Sequence, residues 1–149
     1  MISSRTGAVV ISVALVFALA AGCTPLTQTQ PLDREEMYIR ASALTKLSAA
    51  VESAVRYKNP PPELSDRELL TLATQHDPIL LDNFKGYTVR AVRKARHSVV
   101  LVCDATGNRA LLEDAGCSGP MDRHRWIGKP APCEFTIDVK TICNSTSLP

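Results

Sequence analysis

"YTVRAVRKARHSVVLVC", residues 87–103, is where the chain changes its pattern, and its reading decides the fold. Tyr87, Val89 and Ala91 share one face of an extended segment, and "KARH" (94–97) reads as a four-residue hairpin loop. "SVVLVC" (98–103) is almost wholly apolar, as a central strand covered on both faces would be. "DATGN" (104–108) is turn chemistry, with Gly107 and Asn108 suited to positive φ. "RALLEDAG" (109–116) is read as a third strand, the alternative being a short helix capped by Asn108 and stopped by Gly116. "CEFTIDVKTIC" (133–143) alternates strictly at first. Cys133, Phe135, Ile137 and Val139 face one way and Glu134, Thr136, Asp138 and Lys140 the other, the pattern of a final strand.

Upstream of Tyr87 the period is helical. Asp33 and Glu36 form a D-x-x-E capping box, with Leu32 and Met37 at the staple positions. Met37, Ala41, Leu44, Leu47, Val51, Ala54 and Val55 then make one apolar stripe. "NPPPE" (59–63) stops that helix, because proline removes a donor and restricts the residue before it. Ser65 and Glu68 repeat the capping grammar for a second helix, and Asp77-Pro78 opens a short third turn, "PILLDNF", broken by Gly86. Helices followed by strands predict an α+β fold: two N-terminal helices and a short third packed on a three- or four-stranded antiparallel sheet. A chain of 149 residues accommodates one such domain, expected over 33–149.

The first 23 residues are of another kind. Arg5 precedes "AVVISVALVFALAA" (8–21), which as a helix spans about 21 Å, short of the ~30 Å hydrocarbon core. Such a segment reads as an export signal rather than a membrane helix. "ALA" (18–20) fits an ordinary secretory cleavage site. "LAAGC" (19–23) resembles the lipobox of bacterial lipoprotein precursors, with Ala20 where that family usually has leucine. The resemblance covers residues 1–23 and implies removal of 1–22 and lipidation of Cys23. Thr24 after the cysteine, rather than Asp, implies the outer membrane. "TPLTQTQP" (24–31) carries no charge and has tether composition, so 23–32 is expected to link lipid and domain over at most ~30 Å.

Five cysteines are an odd number, and a lipidated Cys23 leaves four for two disulfides. Cys103, Cys117, Cys133 and Cys143 contain no C-x-x-C pair, so the usual zinc and thioredoxin spacings are missing and no metal or cofactor is expected. In a hairpin about Gly107, Cys117 lies ~23 Å beyond the residue opposite Cys103, which disfavours their bridging. A last strand running back along that hairpin predicts Cys117–Cys133 and Cys103–Cys143.

No G-x-S-x-G elbow and no Gly-rich phosphate loop is present, and His76, His97 and His124 sit in polar contexts. The chain is therefore read as a non-enzyme without a small-molecule substrate. A net charge of +2 is too small to suggest a nucleic-acid partner. Two stretches have recognition chemistry. Arg93, Lys94 and Arg96, with Arg90 and His97, gather cations on the first hairpin, suiting an anionic partner or else simply solvating a sheet edge. Arg123, Arg125 and Trp126 bring interface-rich residue types to the loop between Cys117 and Cys133, unless Trp126 covers the core edge. The function expected from address and composition is an outer-membrane lipoprotein facing the periplasm, with a membrane anchor at Cys23 and an envelope protein as partner. The alternative is a disulfide-stapled inhibitor or defence module acting on an envelope enzyme such as a lysozyme or protease.

Overall fold

The computed structural model describes residues 34–118, 123–124 and 131–145, all within one compact unit, Pro31–Pro149. Asp33 and Leu32, expected to cap and staple the first helix, lie outside the described residues. Helix α1 (Arg34–Ser53) buries the predicted stripe, with Leu44, Leu47 and Val51 fully enclosed. It widens into one π-turn, Ala54–Lys58, which keeps Ala54 and Val55 in the core. Asn59, left-handed at φ 43, ends it before the prolines.

Helix α2 (Asp66–Thr74) begins with the capping box that the sequence predicts. Ser65 Oγ accepts from Glu68 N–H at 3.3 Å, and Glu68 Oε2 accepts from Ser65 N–H at 2.9 Å. The Ser65 hydroxyl and N–H hold the Glu68 carboxyl below its ordinary value. "PILLDNF" forms a 3-10 segment, Pro78–Phe84, whose Phe84 joins the core. Gly86, at φ 84, turns the chain into the sheet.

The fold is α+β. Strands β1 (Thr88–Lys94), β2 (His97–Cys103), β3 (Ala110–Ala115) and the two-residue β4 (Arg123–His124) pair antiparallel in that order. The segment 109–116 thus resolves as a strand. β2 is buried on both faces, because its neighbours along the chain alternate between two cores. Val100 and Val102 meet Leu47, Val51, Leu69 and Leu112 on the helix side. Val99 meets Ala115 and Ile137 on the other side, where Leu101 meets Cys103 and Ala110.

The β1–β2 turn is tighter than the four-residue loop expected from "KARH". Lys94 pairs with His97, so only Ala95 and Arg96 turn the chain. Two-residue hairpins match the strand twist but demand positive φ, and Ala95 takes φ 59. Ala95→Gly is expected to stabilise the protein by roughly 0.5–1 kcal/mol, read as a higher urea midpoint at unchanged m. The β2–β3 turn is held by Asp104 Oδ1, which accepts from Thr106 Oγ1 and Asn108 N–H at 2.9 Å each and from Arg109 N–H at 3.3 Å. Partial burial opposes ionisation of Asp104, but these donors and the Arg109 charge outweigh it and hold the carboxyl below its usual value. A lowered folded-state pKa contributes stability above the unfolded value and loses it as pH falls through the folded one. Asp104→Ala is therefore expected to be destabilising at pH 7, with the gap to wild type closing as pH falls through the lowered carboxyl value in paired urea titrations.

Residues 133–143 correct the expectation of a final strand. The alternation is real: Phe135, Ile137 and Val139 point inward while Glu134, Thr136, Asp138 and Lys140 are exposed. Yet 134–138 joins no ladder, and Val139–Ser145 is a helix, α3. The segment crosses the face of the sheet opposite α1 as a strap. Side chains meet its backbone instead: the Glu113 carboxylate accepts from Thr136 N–H at 2.7 Å and Ile137 N–H at 2.9 Å. Lys94 Nζ donates to Ile137 O at 2.9 Å, and Arg90 Nη1 to Cys133 O at 3.1 Å.

The disulfide pairing is corrected for the same reason. The bridges are Cys103–Cys133 and Cys117–Cys143, not Cys117–Cys133 and Cys103–Cys143. β4 runs back along β3, setting Arg123 opposite Glu113 and His124 opposite Leu112. The chain thus regains the Cys103 end of the sheet before the strap begins. There Pro132 bridges Arg109, and Cys133 N–H donates to Asn108 O at 3.0 Å. The strap then travels in the direction of β3 and delivers Cys143 to Cys117.

Candidate functional site

Two serines and a glycine let α1 approach the sheet closely along a polar seam. Ser48 Oγ donates to Asp114 Oδ2, and one helical turn later Glu52 accepts from Ser98 N–H at 2.7 Å and Ser98 Oγ at 2.9 Å. Glu52 Oε1 also lies 2.8 Å from His97 Nδ1 and accepts from Arg56 Nε at 2.7 Å. The seam explains why neighbouring carboxylates on one strand are both buried. Glu113 faces the strap and Asp114 faces α1, as adjacent strand residues must. Within the seam the Ser48 and Ser98 hydroxyls each donate to a carboxylate, which ties α1 to the sheet. His97 is half-buried in this seam, not in the exposed setting its sequence context suggests; His76 is exposed beside Gln75.

The cations expected on the first hairpin are mostly engaged inside the fold. Arg93 reaches back to the end of the first helix, donating to Pro60 O, to Asn59 Oδ1 at 3.0 Å and to Ala95 O at 2.9 Å. Lys94 ties down the strap, its ammonium 5.8 Å from the Phe135 ring centre. Arg90 pairs with Asp66 at 2.8 Å and lies over the same ring. Arg96 is exposed at the hairpin tip. The second expected cluster is only partly described: Arg123 has its backbone in β4, while Arg125 and Trp126 lie outside the described residues. Cys23 lies outside them as well.

The surface that sequence reading missed is apolar. Between the first turns of α1 and the 3-10 segment runs a groove of about 590 Å³, lined by Tyr38, Ile39, Ala43, Ile79 and Leu80 with Lys46 and Asp77 among its polar residues. Tyr38, Ile39 and Ile79 are 60%, 55% and 68% exposed, high values for apolar side chains gathered in one place. The signal was present in the sequence, since Tyr38 and Ile39 are apolar residues of α1 that stand off the buried stripe. Among the described residues, no helix is long and apolar enough to cross a membrane. No family model, no curated protein and no solved structure matches the chain.

Proposed function

We propose that this chain is an outer-membrane lipoprotein, anchored through Cys23, whose α+β domain faces the periplasm. There it binds another envelope protein as an assembly or stability accessory. The observation that carries the binding role is the groove of Tyr38, Ile39 and Ile79, a contiguous apolar surface of the kind that marks interaction sites. Lys46 and Asp77 put both signs of charge along the groove, which favours a protein partner over a uniformly anionic lipid surface. The anchor reading is supported by the lipobox-like LAAGC and by the pairing of the other four cysteines, which leaves Cys23 the odd one.

The test uses a photo-crosslinking residue at position 42, within the groove, in intact cells, followed by mass spectrometry of the adduct. One envelope protein is expected to be captured, and capture is expected to fall at least about tenfold with Ile79→Glu, which leaves the buried core untouched. Equal capture by wild type and Ile79→Glu would remove the groove from the proposal. Labelling with a fatty-acid analogue is expected for the wild type and not for Cys23→Ser. Equal labelling of both would remove the anchor.

A further inference from the structure

Three elements converge at one end of the sheet. The register that sets Val99 opposite Ala115 places His97 opposite Cys117 two pairs further out, beyond Ser98 and Gly116, and α3 brings Cys143 to the same point. The ligating atoms of His97, Cys117 and Cys143 all lie within 4.8 Å of one another, and all three residues are half-buried. Glu52 Oε1 engages His97 Nδ1 at 2.8 Å, so Nε2 is the nitrogen left for a metal. A carboxylate on the far side of a ligating imidazole fixes its orientation and raises its basicity, as at zinc centres. Among the described residues, Cys103 and Cys133 have no such histidine or carboxylate companion.

We propose that Cys117–Cys143 masks a metal site: once the bridge is reduced, His97, Cys117 and Cys143 bind one zinc(II), with water as the fourth ligand. The chemistry balances with a dithiol as reductant. Two electrons and two protons pass from the dithiol to the Cys117 and Cys143 sulfurs while the dithiol closes to its own disulfide. Zinc then displaces one proton from each thiol, forming two Zn–S bonds and releasing two protons, with no change in the metal's oxidation state. Bonds of ~2.3 Å at tetrahedral angles require the two sulfurs to part to about 3.8 Å, a small displacement of α3. The site does not depend on the docking groove or on the lipid anchor.

The experiment uses the full chain in detergent, carrying Cys23→Ser so that only the four bridged cysteines contribute thiols. A water-soluble phosphine reduces it under argon, the phosphine taking oxygen from water as the thiols take the protons. Cobalt(II) is then titrated in as a spectroscopic probe and displaced with zinc(II). A sulfur-to-cobalt charge-transfer band saturating at one equivalent is expected from the reduced chain and none from the oxidised chain. His97→Ala is expected to need at least about tenfold more cobalt, and Cys117→Ser/Cys143→Ser to give no band. The proposal is overturned by a reduced chain with four titratable thiols and no band, or by a band undiminished in either variant. It is equally overturned by a band that appears only with loss of the native far-ultraviolet dichroism.

Discussion

Glu113→Ala is expected to cost about 4 kcal/mol in urea unfolding, from three charge-assisted hydrogen bonds at roughly 1.5 kcal/mol each. Glu113 is fully buried, and its carboxylate accepts from Thr136 N–H at 2.7 Å, Thr136 Oγ1 at 2.8 Å and Ile137 N–H at 2.9 Å. Removing the carboxylate takes its acceptor away from the buried Ile137 N–H and the part-buried Thr136 N–H of the strap. The loss is expected to be local first. In amide exchange, Thr136 and Ile137 should lose protection well before Leu101 or Val102, which remain in the β1–β2–β3 ladder. Glu113→Gln, which keeps a carbonyl oxygen to accept, is expected to cost about half as much. Equal protection of Thr136 in Glu113→Ala and wild type would show that the strap is held by its apolar side chains alone.

Gly116→Ala is expected to be the second severe change, at about 3 kcal/mol. A methyl group there falls inside van der Waals contact of Ser48 O and Glu52 Cβ, with Ser98 Oγ at 3.0 Å. Ser48 O is backbone within α1, so the conflict is relieved only by lifting the helix off the sheet. Lifting it strains the Ser48–Asp114 and Glu52–Ser98 bonds together, so packing and polar losses add. A reduced thermal midpoint and weaker protection of the Ser98 amide are the readouts. A midpoint within 1 °C of wild type would show that α1 has more freedom to shift than the seam implies.

Local grammar was the legible part of this fold. The Ser65–Glu68 box starts α2 where the residues place it, and the apolar run 98–103 is buried on both faces as such a run must be. What hydrophobic alternation reports is which way side chains point, not what the backbone bonds to. Residues 133–139 therefore read as a strand while lying over one, with the Thr136 and Ile137 N–H groups taken by the Glu113 side chain rather than by a neighbouring strand. The disulfide error follows from that step, because the level of Cys133 depends on β4, a two-residue strand too short to show a period. Charge was misread for a related reason. Arg90, Arg93 and Lys94 look like surface in sequence, but long side chains on a half-covered sheet reach carbonyls that only the tertiary fold supplies. The His97–Cys117–Cys143 cluster has no sequence spacing at all, since β2, the end of β3 and α3 each contribute one residue.

The crossed bridges, Cys103–Cys133 and Cys117–Cys143, give the connection between Cys117 and Cys133 an unusual freedom. A peptide bond cut anywhere between those two cysteines leaves the two halves joined by both disulfides. The same holds when that connection is lengthened or rewritten, because covalent continuity no longer passes through it alone. Arg125 and Trp126 therefore belong to a connection that both disulfides span, so new sequence grafted beside them leaves the two halves of the domain covalently joined twice over.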